Sequence, residues 1–411
     1  MLSIAKSRFL SGKKIIFTLL IIHCSLLIAN AQWVQMSNGM GNSKSVMSFT
    51  ILGNNIFAGT YSNGVYLSTN NGIDWTQVGL NNKIVSSLAT NGNNILAGIW
   101  YTNYDSGGIY LSSNYGANWT QTNLLYQSIG ALLTFGNNIF AGTDNGVYLS
   151  TNYGTSWAWV GLNHSVISLA NLGSNIFAGT TSYGFWLSTN NGINWTQTTF
   201  NSAHFKPLVT LENNIFTGFY PSAGLYISSN NGINWAQTEL NNGWLYSLAT
   251  LGYNLFAGTD GGLNRSTNNG ASWRIKNEGF INIPTVLAIL ITDNYIFVGT
   301  DYKSVWRRDL SDILGIQKVN TEIPSSYSLK QNYPNPFNPS TTIKFDLPKL
   351  SNVKITVYDI TGKEIEVLVN EKLQSGTYQT NWNASNFSSG VYFYRLQTED
   401  FSETKKLILL K

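Results

Sequence analysis

Aromatic side chains are concentrated in one short stretch of the chain. Between Ile99 and Gly107 lie Trp100, Tyr101 and Tyr104, with amide groups close by and little charge. Flat aromatic faces beside amides suit neutral sugars or extended peptides better than ions or nucleic acid. We therefore predict a ligand-binding surface in this region and in neighbouring loops. Its candidate residues are Trp100, Tyr101, Tyr104, Tyr61, Tyr220 and Trp244.

Acidic residues in the same kind of loop raise a second possibility, glycoside hydrolysis. That chemistry needs two facing carboxyl groups on either side of the glycosidic bond. Asp105, Asp144, Asp260 and Asp301 all follow short β-type segments. Aspartate in a Thr-Asp-x-Gly sequence also simply makes a turn. A glycoside hydrolase is therefore the alternative to a binding protein.

Other catalytic classes have weak support. Apart from His23, the histidines are His164 and His204, and neither stands in a nucleophile motif. No His/Asp cluster has metal-ligand spacing, so no metal or other cofactor is predicted. The formal charge of +4 falls to 0 without residues 1–31, which carry four cations and no acids. No basic patch remains to indicate a nucleic-acid partner.

A repeat in the middle of the chain must position these side chains. The pattern Ser-(Thr/Ser)-Asn-x-Gly-x-x-Trp occurs six times, from Ser68–Trp75 to Ser266–Trp273, with its tryptophans 38 to 44 residues apart. A second pattern, (Ile/Leu)-(Phe/Leu)-(Ala/Thr/Val)-Gly, occurs seven times. A period near 40 is typical of the four-stranded blades of a β-propeller. A straight β-solenoid is the alternative, although its coils are usually shorter.

One complete unit illustrates the predicted blade. Its strands, A to D, are expected at Ser86–Thr90, Asn94–Gly98, Gly108–Ser112 and Trp119–Thr122. Strands of about five residues with turns about every ten residues suit an all-β blade. We therefore predict seven blades.

The Asn-x-Gly turn of each unit has a structural role. Asn70 can accept a hydrogen bond from the backbone ahead of it, and Gly72 permits a positive φ. The motif resembles the Asp-box of sialidases and related propellers, with Asn in place of Asp in all six copies. In that family the box lies far from the catalytic centre. The resemblance therefore implies a scaffold, and loss of the charge removes any case for a metal in these turns.

Sialidase activity is not expected in spite of this resemblance. Sialidases bind the substrate carboxylate with three arginines from separated blades. Between residues 32 and 326 the arginines are Arg265, Arg274, Arg307 and Arg308, all in the last two repeats. They cannot surround a central pocket from three sides.

The two ends of the repeat region complement each other. The seventh unit begins near Val286–Ile291, continues through Tyr295–Gly299 and Ser304–Arg308, and has no Trp-led fourth strand. The segment Gln32-Trp33-Val34-Gln35 matches Trp75-Thr76-Gln77 of a complete unit. We predict that it supplies strand D of the last blade, which would close the ring and hide its edges.

Residues 1–31 have the pattern of a secretory signal peptide. A basic start precedes the apolar run Ile15–Ile28, and Ala29-Asn30-Ala31 forms a cleavage pattern before Gln32. The run is short for a membrane span, so no transmembrane segment is expected after its removal. The one cysteine of the chain, Cys24, lies in this segment. The mature protein is therefore expected to lack disulfides.

The pattern changes after Asp312. Residues 313–326 lack the repeat and are predicted to form a linker. The proline-rich segment at 333–339 precedes alternating strands at Val353–Tyr358, Lys363–Val369, Tyr378–Trp382 and Val391–Leu396. This alternation predicts a small β-sandwich.

The C-terminal segment resembles the type A C-terminal sorting domain of type IX secretion, found in Bacteroidetes and neighbouring phyla. The resemblance covers Tyr327 to Lys411. It rests on Tyr-Pro-Asn-Pro-Phe-Asn-Pro at 333–339, Val-Tyr-Asp-Ile-Thr-Gly-Lys at 357–363, Gly-Thr-Tyr at 376–378, Ser-Gly-Val-Tyr-Phe-Tyr-Arg-Leu at 389–396 and the final Thr-Lys-Lys-Leu-Ile-Leu-Leu-Lys. It implies two partners, an outer-membrane translocon that reads the domain and a sortase-like peptidase that removes it and attaches the cargo to a surface lipid. A plain carbohydrate-binding sandwich is the alternative.

These patterns together predict an exported all-β protein. Its parts are a signal peptide at 1–31, a seven-bladed β-propeller at 32–312, a linker at 313–326 and a sorting domain at 327–411. The expected location is extracellular or on the outer-membrane surface. The propeller is expected to bind a glycan or a peptide rather than to catalyse a reaction.

Overall fold

Four-stranded antiparallel sheets form nearly all of the described structure, seven of them in the repeat region and two at the C-terminal end. The structure is a computed structural model and describes residues 32–102, 107–199, 205–219, 224–241, 243–320 and 322–411. It confirms the predicted fold class, a seven-bladed β-propeller followed by a small β-sandwich.

Each of the first six blades is a meander of strands A to D, with A lining the central channel. The strands end where the sequence has turn motifs, and strand D has only two residues in each of these blades. Blades 1 to 3 consist of Val46–Leu52, Asn55–Thr60, Val65–Ser68 and Thr76–Gln77; Val85–Asn91, Asn94–Ile99, Gly108–Ser112 and Thr120–Gln121; and Ile129–Phe135, Asn138–Thr143, Gly146–Ser150 and Ala158–Trp159. Blades 4 to 6 consist of Val166–Leu172, Asn175–Thr180, Phe185–Ser188 and Thr196–Gln197; Phe205–Leu211, Asn214–Phe219, Leu225–Ser228 and Ala236–Gln237; and Leu245–Leu251, Asn254–Thr259, Gly262–Ser266 and Arg274–Ile275.

The seventh blade combines both ends of the repeat region, as predicted. Its strands A to C are Val286–Ile291, Tyr295–Thr300 and Val305–Asp309, and its strand D is Val34–Gln35. Val34 pairs with Arg307 in the antiparallel register. Trp33, just before this strand, is 3% exposed and packs in the core of blades 6 and 7.

The Asn-x-Gly turn is held by two short-range side-chain bonds. In blade 1 the Ser68 hydroxyl accepts a hydrogen bond from the Gly72 N–H at 2.8 Å, and Asn70 Oδ1 accepts one from the Asp74 N–H at 2.9 Å. Gly72 has φ +78°, and a Cβ there would lie 2.6 Å from the ring of Phe297 in the preceding blade. The same serine and asparagine bonds recur in the other five copies. The turn therefore both ends strand C and seats one blade against the previous one.

Strand B carries most of the fully buried aromatic side chains of the propeller. Its central aromatic residues are 0% exposed in six blades, and Leu96 takes that position in blade 2. Their burial between neighbouring sheets contributes apolar contact that holds the ring together. The six aromatic residues are Phe57, Phe140, Phe177, Phe216, Phe256 and Phe297.

The C-terminal sandwich consists of two sheets that enclose a separate core. Buried Phe345, Trp382 and Tyr394 lie in that core. One sheet has the order Ile316–Asn320, Gly376–Asn383, Ser340–Leu347 and Ser328–Leu329, and the other the order Glu364–Leu373, Ser351–Tyr358, Gly390–Gln397 and Ser402–Leu409.

The predicted linker at 313–326 differs from the structure. A short helix, Leu310–Leu314, follows blade 7, and the strand Ile316–Asn320 then pairs with Gly376–Asn383 at the edge of the sandwich. Of this strand only Ile316 is buried. An edge strand with one buried side chain shows no alternation in the sequence, which explains why a linker was predicted.

The two ends of the propeller differ in what covers them. We call the end with the A–B and C–D turns the turn end, and the end with the B–C and D–A loops the loop end. The sandwich lies at the turn end: a Cβ at Gly252, in the A–B turn of blade 6, would lie 3.0 Å from the Glu371 carboxylate. A cavity of about 1330 Å³ separates Gly53, Asn54 and Leu251 from Gln374 of the sandwich. The loop end is on the opposite side.

Within the described ranges, no helix combines the length and the apolar composition that a membrane crossing requires.

Candidate functional site

Four of the six predicted binding residues lie on the loop end with exposed rings. Tyr61 is 51% exposed, Trp244 is 47% exposed, and Trp100 and Tyr101 are each 40% exposed. Tyr61 follows strand B of blade 1, and Trp100 and Tyr101 follow strand B of the adjacent blade 2. The other two candidates, Tyr104 and Tyr220, lie outside the described residues.

Backbone hydrogen bonds fix the start of the Trp100 loop. The Trp100 N–H donates to the Ile84 carbonyl at 3.0 Å, and the Tyr101 N–H donates to Ser128 Oγ at 3.2 Å. Ser128 precedes strand A of blade 3, so this loop spans the boundary between two blades. The two rings are thereby presented from a fixed backbone, which lowers the entropic cost of binding.

Trp244 stands at the mouth of the central channel. Its backbone N–H donates to Asp260 Oδ1 at 3.1 Å, and its ring centroid lies 6.5 Å from that of Tyr246. Both rings line a cavity of about 480 Å³ at the start of the A strands. The structure therefore brings Trp244 to the channel, whereas Tyr61, Trp100 and Tyr101 lie on blades 1 and 2.

The wall of this cavity is apolar with a minority of hydroxyl groups. The Ser86 hydroxyl donates to the Ile129 carbonyl at 2.6 Å and the Ser247 hydroxyl donates to the Val286 carbonyl at 3.2 Å, each bond joining neighbouring blades. None of the described residues that line the cavity is charged. One position of strand A contributes an apolar side chain from every blade, namely Phe49, Leu88, Leu132, Leu169, Leu208, Leu248 and Ile289.

An aromatic cluster on blade 4 lies outside the six predicted binding residues. His164 stacks on Tyr183 with ring centroids 4.1 Å apart, and Trp186 lies 5.3 Å from His164. The Trp186 indole N–H donates to the Tyr183 carbonyl at 2.8 Å. One signal was available: Trp186 replaces a tyrosine that Tyr66, Tyr110, Tyr148 and Tyr226 supply at the same position of strand C.

The loop carboxylates are engaged in turn hydrogen bonds. Asp144 Oδ1 accepts from the Ser128 N–H at 3.2 Å, and Asp301 Oδ1 accepts from the Ser45 hydroxyl at 2.6 Å. Asp260 makes the equivalent bond to Trp244. Burial raises the pKa of Asp144, and its backbone hydrogen bonds act in the opposite direction. Each of these carboxylates joins a B–C loop to a D–A loop. Asp144 lies on blade 3, Asp260 on blade 6 and Asp301 on blade 7. Asp105 lies outside the described residues.

The described part of the chain holds no group of three or more His, Cys, Asp or Glu side chains that could bind a metal ion.

The C-terminal end matches a known family. Residues 331–410 match the family model described as the Secretion system C-terminal sorting domain. A tail of this class implies export to the cell surface or secretion. No curated protein matches the chain.

Solved structures share the fold of most of this chain. The GH74 xyloglucanase from Xanthomonas campestris is 13% identical, with a TM-score of 0.54, and the match covers 90% of this chain and 66% of that one. The extracellular domain of BT4673 from B. thetaiotaomicron is 10% identical, also with a TM-score of 0.54, and the match covers 93% of this chain and 59% of that one. The chain thus spans less than two thirds of the length of either protein. At such identities the likeness extends to the fold alone.

Proposed function

We propose that this chain is an exported β-propeller that binds an uncharged glycan or an extended peptide at its loop end. The observation that carries the proposal is the contrast between the two ends. The sandwich and the repeated turns occupy the turn end, whereas the loop end presents Tyr61, Trp100, Tyr101 and Trp244 at 40–51% exposure. Variable loops on a rigid frame are where binding residues usually lie, and exposed rings suit the apolar faces of sugars and peptides.

Export by a type IX system completes the proposal. The signal peptide at 1–31 would direct the chain to the periplasm, and the sandwich would be read by the outer-membrane translocon and removed by a sortase-like peptidase. The turns of the propeller serve as Asp-box-like scaffold elements, since the serine and asparagine bonds that shape each turn are internal to it.

Processing should leave two defined ends. We expect cleavage after Ala31 and, at the other end, between Asn320 and Ser328. The backbone of Ile316–Asn320 is paired within the sandwich, whereas the Glu322 and Ile323 side chains just beyond it are exposed. Mass spectrometry of the surface-bound protein measures both ends. A mature surface form that still ends in Lys411 would contradict the removal of the sandwich.

Binding should depend on the exposed loop-end rings. Purified protein would be screened against an array of neutral oligosaccharides and against extended peptides, and the best probe measured by calorimetry. Replacing Trp100 with alanine is expected to weaken that binding by about 2 kcal/mol, since buried interface tryptophans contribute on this scale. Tyr61→Ala and Trp244→Ala should weaken it less.

A turn-end tyrosine provides the matched control. Tyr115 is 51% exposed, as Tyr61 is, but lies in a C–D turn, so Tyr115→Ala should leave the affinity unchanged. Equal affinities for the wild type and all three loop-end variants would refute the proposed site. The oligosaccharides should also be recovered uncut, because Asp144, Asp260 and Asp301 already accept hydrogen bonds from the loops; cleavage would favour the glycoside hydrolase.

A further inference from the structure

Blade 6 departs from the repeat at three neighbouring positions. Arg265 on strand C pairs in register with Arg274 on strand D. The other five complete blades hold an uncharged pair there: Leu67 and Thr76, Leu111 and Thr120, Leu149 and Ala158, Leu187 and Thr196, and Ile227 and Ala236. Two residues after Arg274 comes Lys276, where those blades have Val78, Thr122, Val160, Thr198 and Thr238. We call Arg265, Arg274 and Lys276 the seam cations.

The location of the seam cations follows from how the ring closes. In other blades the equivalent surface is covered by the C–D turn of the next blade: Val78 lies beneath Gly116, and Thr238 lies beneath Gly270. Blade 7 has no such turn, because its strand D comes from residues 34–35. On blade 6 this surface is covered instead by the sandwich and by the segment that leaves the propeller, which includes Ile313 and Leu314. Arg265 Nη1 donates to the carbonyls of Ile313 and Leu314 at 2.9 and 3.0 Å.

The sandwich supplies two carboxylates to these three cations. Arg265 Nη2 lies 3.2 Å from Glu371 Oε1, both side chains being almost fully buried, and Arg274 forms an ion pair with Glu366. Lys276 has no carboxylate within ion-pair distance among the described residues. The three cations line a polar cavity of about 630 Å³ together with Thr380 and Asn381 of the sandwich.

Lys276 lies among several cations. Burial, together with the nearby guanidinium of Arg265, lowers the pKa of Lys276 to about 8, and the Glu278 carboxylate acts in the opposite direction. The Arg274 guanidinium, Nη2 of Arg265 and the Lys276 ammonium face one cavity, and Nε and Nη1 of Arg265 are held by Asn254 and by the carbonyls of Ile313 and Leu314. Such convergent cationic donors are what multi-oxygen anions prefer. A half-buried cation without an ion-pair partner is costly, so a group that brings negative charge close to Lys276 is favoured there.

We propose that the seam cations form a binding site for phosphate groups, which Glu366 and Glu371 occupy in the full-length chain and which becomes available when the sandwich leaves. Arg265 then keeps the carbonyls of Ile313 and Leu314 and loses its anionic partner. The phosphate group is that of free inorganic phosphate or of a lipid headgroup at a membrane surface. The site is separate from the loop end and does not depend on the ligand proposed there.

The test begins with the full-length chain carrying a protease recognition sequence between Asn320 and Ser328. After cutting, the sandwich is separated by size exclusion; every strand of the seven blades lies before this point, and thermal unfolding checks that the propeller stays folded. Inorganic phosphate is titrated by calorimetry, and sedimentation measures binding to phosphatidylglycerol vesicles against phosphatidylcholine vesicles. We expect the cut protein to bind at least one phosphate probe at least about tenfold more tightly than the uncut protein.

Two variants decide whether the seam cations are responsible. R265L/R274T/K276T restores the residues found in other blades, and it should lose the gained binding. K44Q/K83Q/K303Q removes the same charge from loop-end positions and should retain it. In the uncut chain, E366Q/E371Q should bind phosphate more tightly than the wild type, which keeps the test decisive if the cut protein unfolds.

Each outcome has a defined meaning. Phosphate binding without vesicle binding identifies free phosphate as the ligand, and binding to anionic vesicles alone identifies a headgroup; both support the site. Equal binding by cut and uncut protein, or equal loss in both triple variants, overturns it.

Discussion

Replacing Trp33 with alanine is expected to lower the free energy of unfolding by about 3–5 kcal/mol, the range for large aromatic deletions from cores. The indole is 3% exposed and stacks on Phe280 with centroids 5.0 Å apart. Its N–H donates to the Lys276 carbonyl of blade 6 at 2.6 Å. This one side chain therefore fastens strand D of blade 7 to the neighbouring blade. Chemical denaturation followed by tryptophan fluorescence and circular dichroism measures the change.

The next residue provides the control for this result. Val34 is 53% exposed although it lies in the closing strand, so Val34→Ala should change the stability by less than about 0.5 kcal/mol. Deleting Gln32–Met36 removes the whole strand and should destabilise at least as strongly as Trp33→Ala. A truncated propeller as stable as the wild type would show that the ring does not close through this strand.

Trp382→Ala is expected to unfold the sandwich and to abolish export. The Trp382 ring is 0% exposed and lies 5.4 to 5.7 Å from the ring centroids of Phe337, Phe387 and Tyr392. Its N–H donates to Glu366 Oε2 at 3.2 Å. Removing it should cost about 3–5 kcal/mol, which is a large share of the stability of a domain of about 85 residues. Immunodetection on intact cells measures arrival at the surface.

Tyr333 is the matched control for export. It belongs to the proline-rich motif of the sandwich but is 82% exposed, so Tyr333→Ala should leave the fold intact. Normal surface levels of Trp382→Ala, together with an unfolded sandwich in the purified protein, would show that export does not require the folded domain.

The fold could be predicted from the sequence because the Asn-x-Gly turn repeats in it. Its serine and asparagine bonds are local, so six copies in the sequence marked six places where strand C ends. Closure was also predictable, because Gln32–Gln35 matched a strand whose own copy was missing from the last unit. Ile316–Asn320 could not be predicted, since its pairing partner Gly376–Asn383 is distant in sequence and only Ile316 is buried.

Less of the candidate site than of the fold could be predicted from the sequence. Exposure of Tyr61, Trp100, Tyr101 and Trp244 agrees with their assignment to loops, although their role in binding stays a prediction. The sequence placed all arginines of the propeller in its last two repeats without indicating a reason. Their partners Glu366 and Glu371 lie about a hundred residues away along the chain, and long-range charge pairing has no periodic signal.

Ring closure also determines when this protein can finish folding. Gln35 donates to the carbonyl of Lys303, a residue 268 positions later. The first strand of the propeller, Val34–Gln35, therefore stays unpaired until nearly all of the other blades have emerged from a ribosome or a translocon. Contacts of such sequence separation form late and slowly, and an unpaired edge invites aggregation in the meantime. Factors that delay aggregation should thus matter more for this chain than for a domain built from local contacts, and its yield should fall when the closing strand Val34–Gln35 is occluded by a tag fused just before it.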